Sequence, residues 1–222
     1  MGKVIRLTAK DGVEIGAWRA DPTGTPKGAV VVLQEIFGVN SHIRNVCERF
    51  AAQGYVAVAP AIFDRQTPGF ESGYSAEEIE KARKFLANLN WDEMLADTQA
   101  AIAEAGKDGL KVAVIGFCLG GSLAYLAGAR LDNVAAAISY YGGQIIRFVD
   151  EAPKVPTLMH FGRTDHSIPM SDVEVIQAKR TDCDIHIFEA GHGFNCDERA
   201  SYDEASALAA RKLSLDFLAK HM

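Results

Sequence analysis

A cysteine set among glycines is the residue whose surroundings first suggest chemistry. Cys118 stands in the pattern G-x-C-x-G, after an apolar run and before a stretch rich in small residues. In a strand–turn–helix unit, this spacing places a nucleophile on a sharp turn, where Gly116 and Gly120 leave room for neighbouring backbone. The start of the following helix favours a thiolate and a nearby oxyanion. We predict that Cys118 is a nucleophile; the alternative is a small, inert core cysteine.

Two later segments supply the partners that such a nucleophile needs. Asp165 stands in a polar loop after the apolar run Thr157–Gly162, and His192 lies between two glycines after the run Asp184–Glu189. The order nucleophile, acid, histidine is that of α/β-hydrolases. We predict that His192 is the base and Asp165 its orienting acid, although Asp165 taken alone is also typical of a turn. His166 follows the acid directly and is poorly placed to reach Cys118.

The elements that position these residues alternate along the chain. The predicted strands are Val4–Thr8, Val13–Ala20, Ala29–Glu35, Tyr55–Pro60, Lys111–Phe117, Val134–Tyr141, Thr157–Gly162 and Asp184–Glu189. The predicted helices are Asn40–Gln53, Ser75–Leu89, Trp91–Ala105, Leu119–Arg130, Met170–Arg180 and Asp203–His221. This alternation predicts one α/β-hydrolase domain over residues 1–222, with a mainly parallel sheet of about eight strands and helices on both faces. The initial hairpin forms an antiparallel edge.

Composition narrows the class of protein further. The 222 residues include 23% charged and 48% hydrophobic residues, the balance of a soluble globular protein. The net charge of −6 and the absence of basic tracts argue against a nucleic-acid partner. No apolar stretch has the length of a membrane span, and the first residues lack the apolar core of a secretory signal. We therefore expect a cytoplasmic protein with no membrane partner.

The four cysteines are expected to be reduced. Cys47, Cys118, Cys183 and Cys196 form no CxxC pair, and no Cys/His group has the spacing of a structural zinc site. Without a secretory signal, disulfides are not expected either. The sequence therefore predicts no metal site, and three of the cysteines are interpreted as packing or loop residues.

Together, these segments resemble the dienelactone hydrolase (carboxymethylenebutenolidase) family over nearly the whole chain. The segments that carry the resemblance are Gln34-Glu35-Ile36-Phe37-Gly38-Val39-Asn40, Arg65-Gln66, Pro68-Gly69, Gly116-Phe117-Cys118-Leu119-Gly120-Gly121, Tyr140-Tyr141-Gly142, Asp165-His166 and Gly191-His192. The resemblance implies a cysteine–histidine–aspartate triad on a compact, cofactor-free monomer. It also implies an oxyanion hole formed by the backbone N–H groups of Ile36 and Leu119, and a Glu35 that helps to activate the cysteine when substrate binds. The alternative for Glu35 is a cap of the following helix.

The sequence departs from the family where substrate is bound. Dienelactone-cleaving members hold the substrate carboxylate with two arginines, and the matching positions here are Ile79 and Cys196. This predicts weak discrimination in favour of carboxylate-bearing lactones. Candidate substrate contacts are Arg65, Arg83, Arg199, Phe37 and Tyr140.

These observations predict a carboxylic ester hydrolase of the EC 3.1.1 class. Its substrate is a small ester or lactone, and Cys118 forms a covalent thioester that His192 helps to hydrolyse. A general esterase or thioesterase of different substrate range is one alternative. The other is a non-catalytic, redox-sensing thiol protein with the same fold.

Overall fold

A computed structural model describes residues 2–222 and contains one eight-stranded sheet. The strands are β1 (Lys3–Thr8), β2 (Glu14–Ala20), β3 (Gly28–Leu33), β4 (Tyr55–Pro60), β5 (Val112–Phe117), β6 (Ala136–Tyr140), β7 (Thr157–Gly162) and β8 (Asp184–Phe188). Their spatial order is β1-β2-β4-β3-β5-β6-β7-β8. β1 and β2 pair antiparallel with each other, and β2 also pairs antiparallel with β4. All other pairs are parallel, so the predicted antiparallel edge and the parallel sheet are confirmed.

Seven α-helices pack against this sheet. They are α1 (Ser41–Ala52), α2 (Ala76–Arg83), α3 (Trp91–Ala105), α4 (Leu119–Arg130), α5 (Ile145–Phe148), α6 (Met170–Lys179) and α7 (Glu204–His221). Short 3₁₀ segments follow α2 and α3, at Lys84–Asn88 and Lys107–Gly109. No helix within residues 2–222 has the length and hydropathy to cross a membrane.

The central strands read as continuous apolar runs because both sheet faces are covered. Every residue of β3, β4 and β5 is buried, as expected for parallel strands with helices on either side. Two separate clusters of buried apolar side chains, one for each face, fill the layers between sheet and helices. The α/β-hydrolase architecture predicted from the sequence is confirmed.

Three local differences from the predicted elements bear on the site. β3 ends at Leu33, so Gln34 and Glu35 lie beyond the strand in the connection to α1. The predicted helix Ser75–Leu89 is an α-helix only as far as Arg83 and then tightens into a 3₁₀ segment. The short helix α5 was not predicted, since four residues are too few to show a helical period.

Candidate active site

The turn after β5 holds Cys118 in a strained conformation. Cys118 has φ 56° and ψ −114°, a combination that non-glycine residues rarely adopt. A Cβ at Gly116 would lie 1.8 Å from the carbonyl oxygen of Gly120, and one at Gly120 would lie 2.4 Å from that of Leu33. Both glycines are therefore required for the close approach of strand and helix, which is the predicted reason for the G-x-C-x-G pattern.

Hydrogen bonds fix this turn to the neighbouring strands. The N–H of Cys118 donates to the carbonyl oxygen of Tyr140 at 3.0 Å, and that of Gly120 donates to the carbonyl oxygen of Gln34 at 3.0 Å. The second bond holds the end of β3 against the start of α4. It therefore places Ile36, two residues further along the chain, at the same end of the sheet as Cys118.

Asp165 and His192 meet at the carboxyl edge of the sheet, after β7 and β8. Nδ1 of His192 lies 2.7 Å from Oδ2 of Asp165, while Oδ1 of Asp165 accepts a hydrogen bond of 2.7 Å from the N–H of Ser167. A carboxylate can only accept here, so Nδ1 carries the proton and Nε2 is left for another partner. His166, by contrast, is exposed to solvent.

The neighbour of His192 on its other side is Cys118. Both residues line one cavity, and the thiol is close enough to the imidazole to influence its protonation. Burial lowers the pKa of His192, but the negative charge of a Cys118 thiolate and the hydrogen bond to Asp165 more than offset it and raise the pKa to about 10. The ring of Tyr141 packs beside the imidazole, with ring centroids 5.1 Å apart. This arrangement favours the charged form of the His192 ring.

A cavity of about 290 Å³ opens over these groups. Seven of the residues predicted from the sequence line it: Ile36, Phe37, Arg83, Cys118, Leu119, His192 and Arg199. Arg147 of α5 lines it as well, so three arginines line one small cavity. The sequence pattern did not identify Arg147, because the helix that carries it was itself not predicted.

Two predicted substrate contacts lie elsewhere. Arg65 binds Asp97 and Asp11 through its guanidinium nitrogens, with distances of 2.7 Å to each, and does not line the cavity. Tyr140 is buried and its hydroxyl lies 2.8 Å from that of Ser214, at a larger cavity of about 480 Å³ that contains no triad residue. The expectation that Arg65 and Tyr140 contact substrate is therefore corrected: both side chains are engaged in holding the fold.

Glu35 is almost fully buried, with 1% of its surface exposed, and it is ion-paired. Nη1 of Arg199 donates to its Oε1 at 2.9 Å, and the hydroxyl of Tyr74 donates to its Oε2 at 3.4 Å. The guanidinium of Arg199 also lies over the rings of Phe37 and Tyr74, 5.7 and 5.8 Å from their centroids. Arg199 experiences the negative charges of both Glu35 and Cys118, so it connects the buried carboxylate to the reactive thiol.

Two backbone N–H groups at the cavity have no acceptor within the chain. Among residues 2–222, neither the N–H of Ile36 nor that of Leu119 donates a hydrogen bond to another group. Both residues line the cavity beside Cys118. Free N–H groups in this position are suited to bind an oxygen that becomes negative during a reaction.

Comparisons with known proteins agree with this architecture. A model of the dienelactone hydrolase family matches residues 15–222. A Synechocystis sp. protein provisionally named carboxymethylenebutenolidase is 44% identical over 90% of this chain and 90% of its own length. The carboxymethylenebutenolidase of Pseudomonas putida is 33% identical, over 97% and 95%.

Solved structures give the same result. A crystal structure from Klebsiella pneumoniae, provisionally named dienelactone hydrolase, superposes with a TM-score of 0.86, at 28% identity, and the match covers 99% of each chain. The family model spans almost the whole sequence, and the relatives match over nearly their full lengths. The chain belongs to the dienelactone hydrolase family and is a hydrolase of the carboxylic ester class with an α/β-hydrolase fold.

Proposed function

We propose that the protein hydrolyses a small ester or lactone through a Cys118–His192–Asp165 triad and a covalent thioester. The observation that carries the proposal is that Cys118 and His192 line one cavity, while Nδ1 of His192 lies 2.7 Å from Oδ2 of Asp165. Nucleophile, base and orienting acid then stand in the relationship that acyl transfer requires.

In the first half of the reaction, the Cys118 thiolate attacks the substrate carbonyl. The carbonyl oxygen becomes an oxyanion, which the N–H groups of Ile36 and Leu119 bind. As the tetrahedral intermediate collapses, the carbon–oxygen bond of the ester breaks and the imidazolium of His192 gives its proton to the leaving oxygen. The product is an acyl thioester on Cys118. An open-chain ester releases its alcohol, whereas an enol-lactone opens and keeps its enol on the bound acyl chain.

In the second half, neutral His192 takes a proton from a water molecule that attacks the thioester. The carbon–sulfur bond breaks, the acid product leaves, and Cys118 and His192 return to their ionised state. A thiolate leaves easily, so the tetrahedral intermediate tends to expel Cys118 again unless the substrate also has a good leaving group. This favours activated or strained esters such as enol-lactones over amides.

The three arginines of the cavity favour a substrate that carries a negative charge. Guanidinium groups bind carboxylates strongly and with defined geometry. Arg83, Arg147 and Arg199 line the cavity, although Ile79 and Cys196 stand at the positions of the two family arginines. The relatives named carboxymethylenebutenolidase bear a name that denotes a carboxylate-bearing lactone substrate. We extend that substrate class to this chain.

A panel of chromogenic esters and enol-lactones tests the proposal. The parent protein should turn over at least one of them, and Cys118→Ala should abolish turnover while the fold is retained. Cys183→Ser is the matched control, since this half-buried thiol does not line the cavity.

Turnover that survives in Cys118→Ala contradicts the triad. If Cys118 of the parent is readily alkylated but the parent cleaves no substrate, a redox-sensing thiol protein is favoured. If the parent cleaves only neutral esters, a general esterase is favoured.

A further inference from the structure

A second group of reactive side chains lies buried beneath the cavity. Glu35 and His42 are close in sequence, whereas Cys196 lies far along the chain. Each residue offers one ligand atom, and these three atoms all lie within 4.8 Å of one another. Glu35 is 1% exposed, and His42 and Cys196 are 0% exposed. The proposed hydrolytic mechanism uses neither His42 nor Cys196.

The hydrogen bonding of His42 is a second observation that points to a ligand at this cluster. Within residues 2–222, neither ring nitrogen of His42 has a hydrogen-bond partner, although the side chain is completely buried. A buried polar group without a partner is unfavourable, and each such group in a folded protein requires an explanation. Nδ1 faces the carboxylate of Asp197 at 3.5 Å, which is too long for a good hydrogen bond.

We infer that Glu35, His42 and Cys196 form a binding site for a thiophilic divalent cation, of which Zn²⁺ is the best match. Thiolate sulfur, imidazole nitrogen and carboxylate oxygen are the three donor types that zinc takes in proteins. With zinc bond lengths of about 2.0–2.3 Å, tetrahedral ligands stand roughly 3.3–3.8 Å apart. Side-chain movements of about 1 Å therefore bring the three ligand atoms into position.

The protonation states of the ligands fit this assignment. Burial lowers the pKa of His42, which keeps the imidazole neutral and able to bind a cation. Burial, together with the negative charge of Glu35, raises the pKa of Cys196 to about 12, so the free thiol is protonated at neutral pH. Binding the cation releases this single proton and leaves a thiolate bound to the ion.

The surrounding charges also fit a bound cation. Asp197, next to Nδ1 of His42, provides the outer carboxylate that commonly orients a metal-binding histidine. Arg199 occupies Oε1 of Glu35, whereas Oε2 has only the long 3.4 Å contact with Tyr74 and is available to the ion.

The test is metal binding to the full chain after treatment with a chelator, with Co²⁺ as a spectroscopic probe and Zn²⁺ for stoichiometry and affinity. Four proteins are compared: the parent, Cys118→Ser, Cys196→Ser and His42→Phe. The Cys118→Ser variant is essential, because Cys118 and His192 form another thiol–imidazole pair. Circular dichroism and thermal melting establish whether each variant is folded. If His42→Phe does not fold, Cys196→Ser alone decides the result.

The parent and Cys118→Ser should each bind one Zn²⁺ and show the thiolate-to-Co²⁺ charge-transfer band. Cys196→Ser should lose the band, and both Cys196→Ser and His42→Phe should bind Zn²⁺ at least about a hundredfold more weakly, since removal of a direct ligand exceeds the 10–100-fold effect of an outer partner. A parent without the band, a band that survives in Cys196→Ser, or a band lost in Cys118→Ser each overturns the assignment.

Discussion

The side chains of Asp165 and His192 are joined by a hydrogen bond of 2.7 Å, and the carboxylate of this pair is wholly withdrawn from water. In a region of low dielectric, such a bond does more than orient the imidazole. It also favours the charged form of the ring, because an ionised acceptor stabilises an imidazolium. The basicity of His192 therefore depends on Asp165, and this dependence is measurable.

Asp165→Asn should lower the pKa of His192 and reduce kcat/KM by roughly 10²–10⁴-fold, because a neutral amide no longer stabilises the imidazolium or fixes the tautomer. The titration of the ring, followed by NMR, measures the first effect, and ester turnover measures the second. Asp184→Asn, an exposed aspartate of β8, is the control. An unchanged titration in Asp165→Asn would contradict the coupling.

The same pair predicts how stability depends on pH. The pKa of His192 rises from an ordinary value of 6.5 to about 10 in the folded protein. A raised pKa contributes stability that is complete below about pH 6.5 and is lost as pH rises through the folded value. Urea unfolding should therefore show a larger loss of stability for Asp165→Asn near pH 6 than above pH 10. An equal loss at both pH values would show that the imidazolium is not involved.

The backbone conformation of Cys118 predicts which of two inactive variants, Cys118→Gly or Cys118→Ala, has the larger free energy of unfolding. Its positive φ is strained for any residue with a Cβ, at a cost of about 1–3 kcal/mol, while glycine adds only about 0.4–1 kcal/mol of unfolded-state entropy relative to alanine. Cys118→Gly should therefore be more stable than Cys118→Ala by about 1 kcal/mol, as measured by urea unfolding. Higher stability of the alanine variant would show that the turn is relaxed.

The position of Cys118, Asp165 and His192 at one edge of the sheet could be predicted from the sequence because it follows from topology. Asp165 and His192 each come directly after a parallel strand, and parallel strands end at one edge of the sheet. Cys118 likewise follows β5 within a pattern whose glycines are required by close backbone contacts. Sequence order and strand type were enough to place all three residues together.

The substrate-binding side chains could not be predicted in this way. Arg199 lies in irregular backbone seven residues after His192, and its direction is set by contacts with Glu35 and with the ring of Phe37, far away in sequence. Arg65 has the same residue type and stands beside a family motif, yet acidic partners hold it outside the cavity. The cluster of Glu35, His42 and Cys196 also depends on tertiary contacts, since its members share no local spacing.

The arginines that line the cavity bear on the weak discrimination that the missing family arginines predict. We expect the parent to prefer a carboxylate-bearing lactone to its neutral ester. Arg83→Gln and Arg147→Gln should each raise KM for the anionic substrate by about five- to tenfold, because these groups are solvent-exposed and partly screened. KM for the neutral ester should stay unchanged. Arg163→Gln, an exposed arginine outside the cavity, is the control. Equal effects on both substrates would exclude a role in recognising charge.

The last prediction concerns Glu35, whose charge is balanced by Arg199 while the cavity is empty. A substrate carboxylate that binds Arg199 competes with Glu35 for the guanidinium. The released Glu35 carboxylate is then a base that accepts the proton of any Cys118 still in its thiol form, so a larger fraction of the nucleophile is ionised when substrate is bound. Glu35→Gln keeps the shape of the side chain but removes the base. We expect turnover to fall by roughly 10²-fold, and the pH dependence of Cys118 alkylation by iodoacetamide to change.

Stability separates this role from a purely structural one. Glu35→Gln leaves the guanidinium of Arg199 with only 17% of its side chain exposed and no carboxylate partner, which should destabilise the protein by up to about 3 kcal/mol. The double variant Glu35→Gln/Arg199→Gln removes that uncompensated charge, so it should regain much of the stability. Its kcat on a carboxylate-bearing lactone should nevertheless stay well below that of Arg199→Gln alone, in which Glu35 remains available as a base. If turnover returns together with stability, or if Glu35→Gln has the rate and alkylation profile of the parent, Glu35 serves only to hold the loop that carries Ile36.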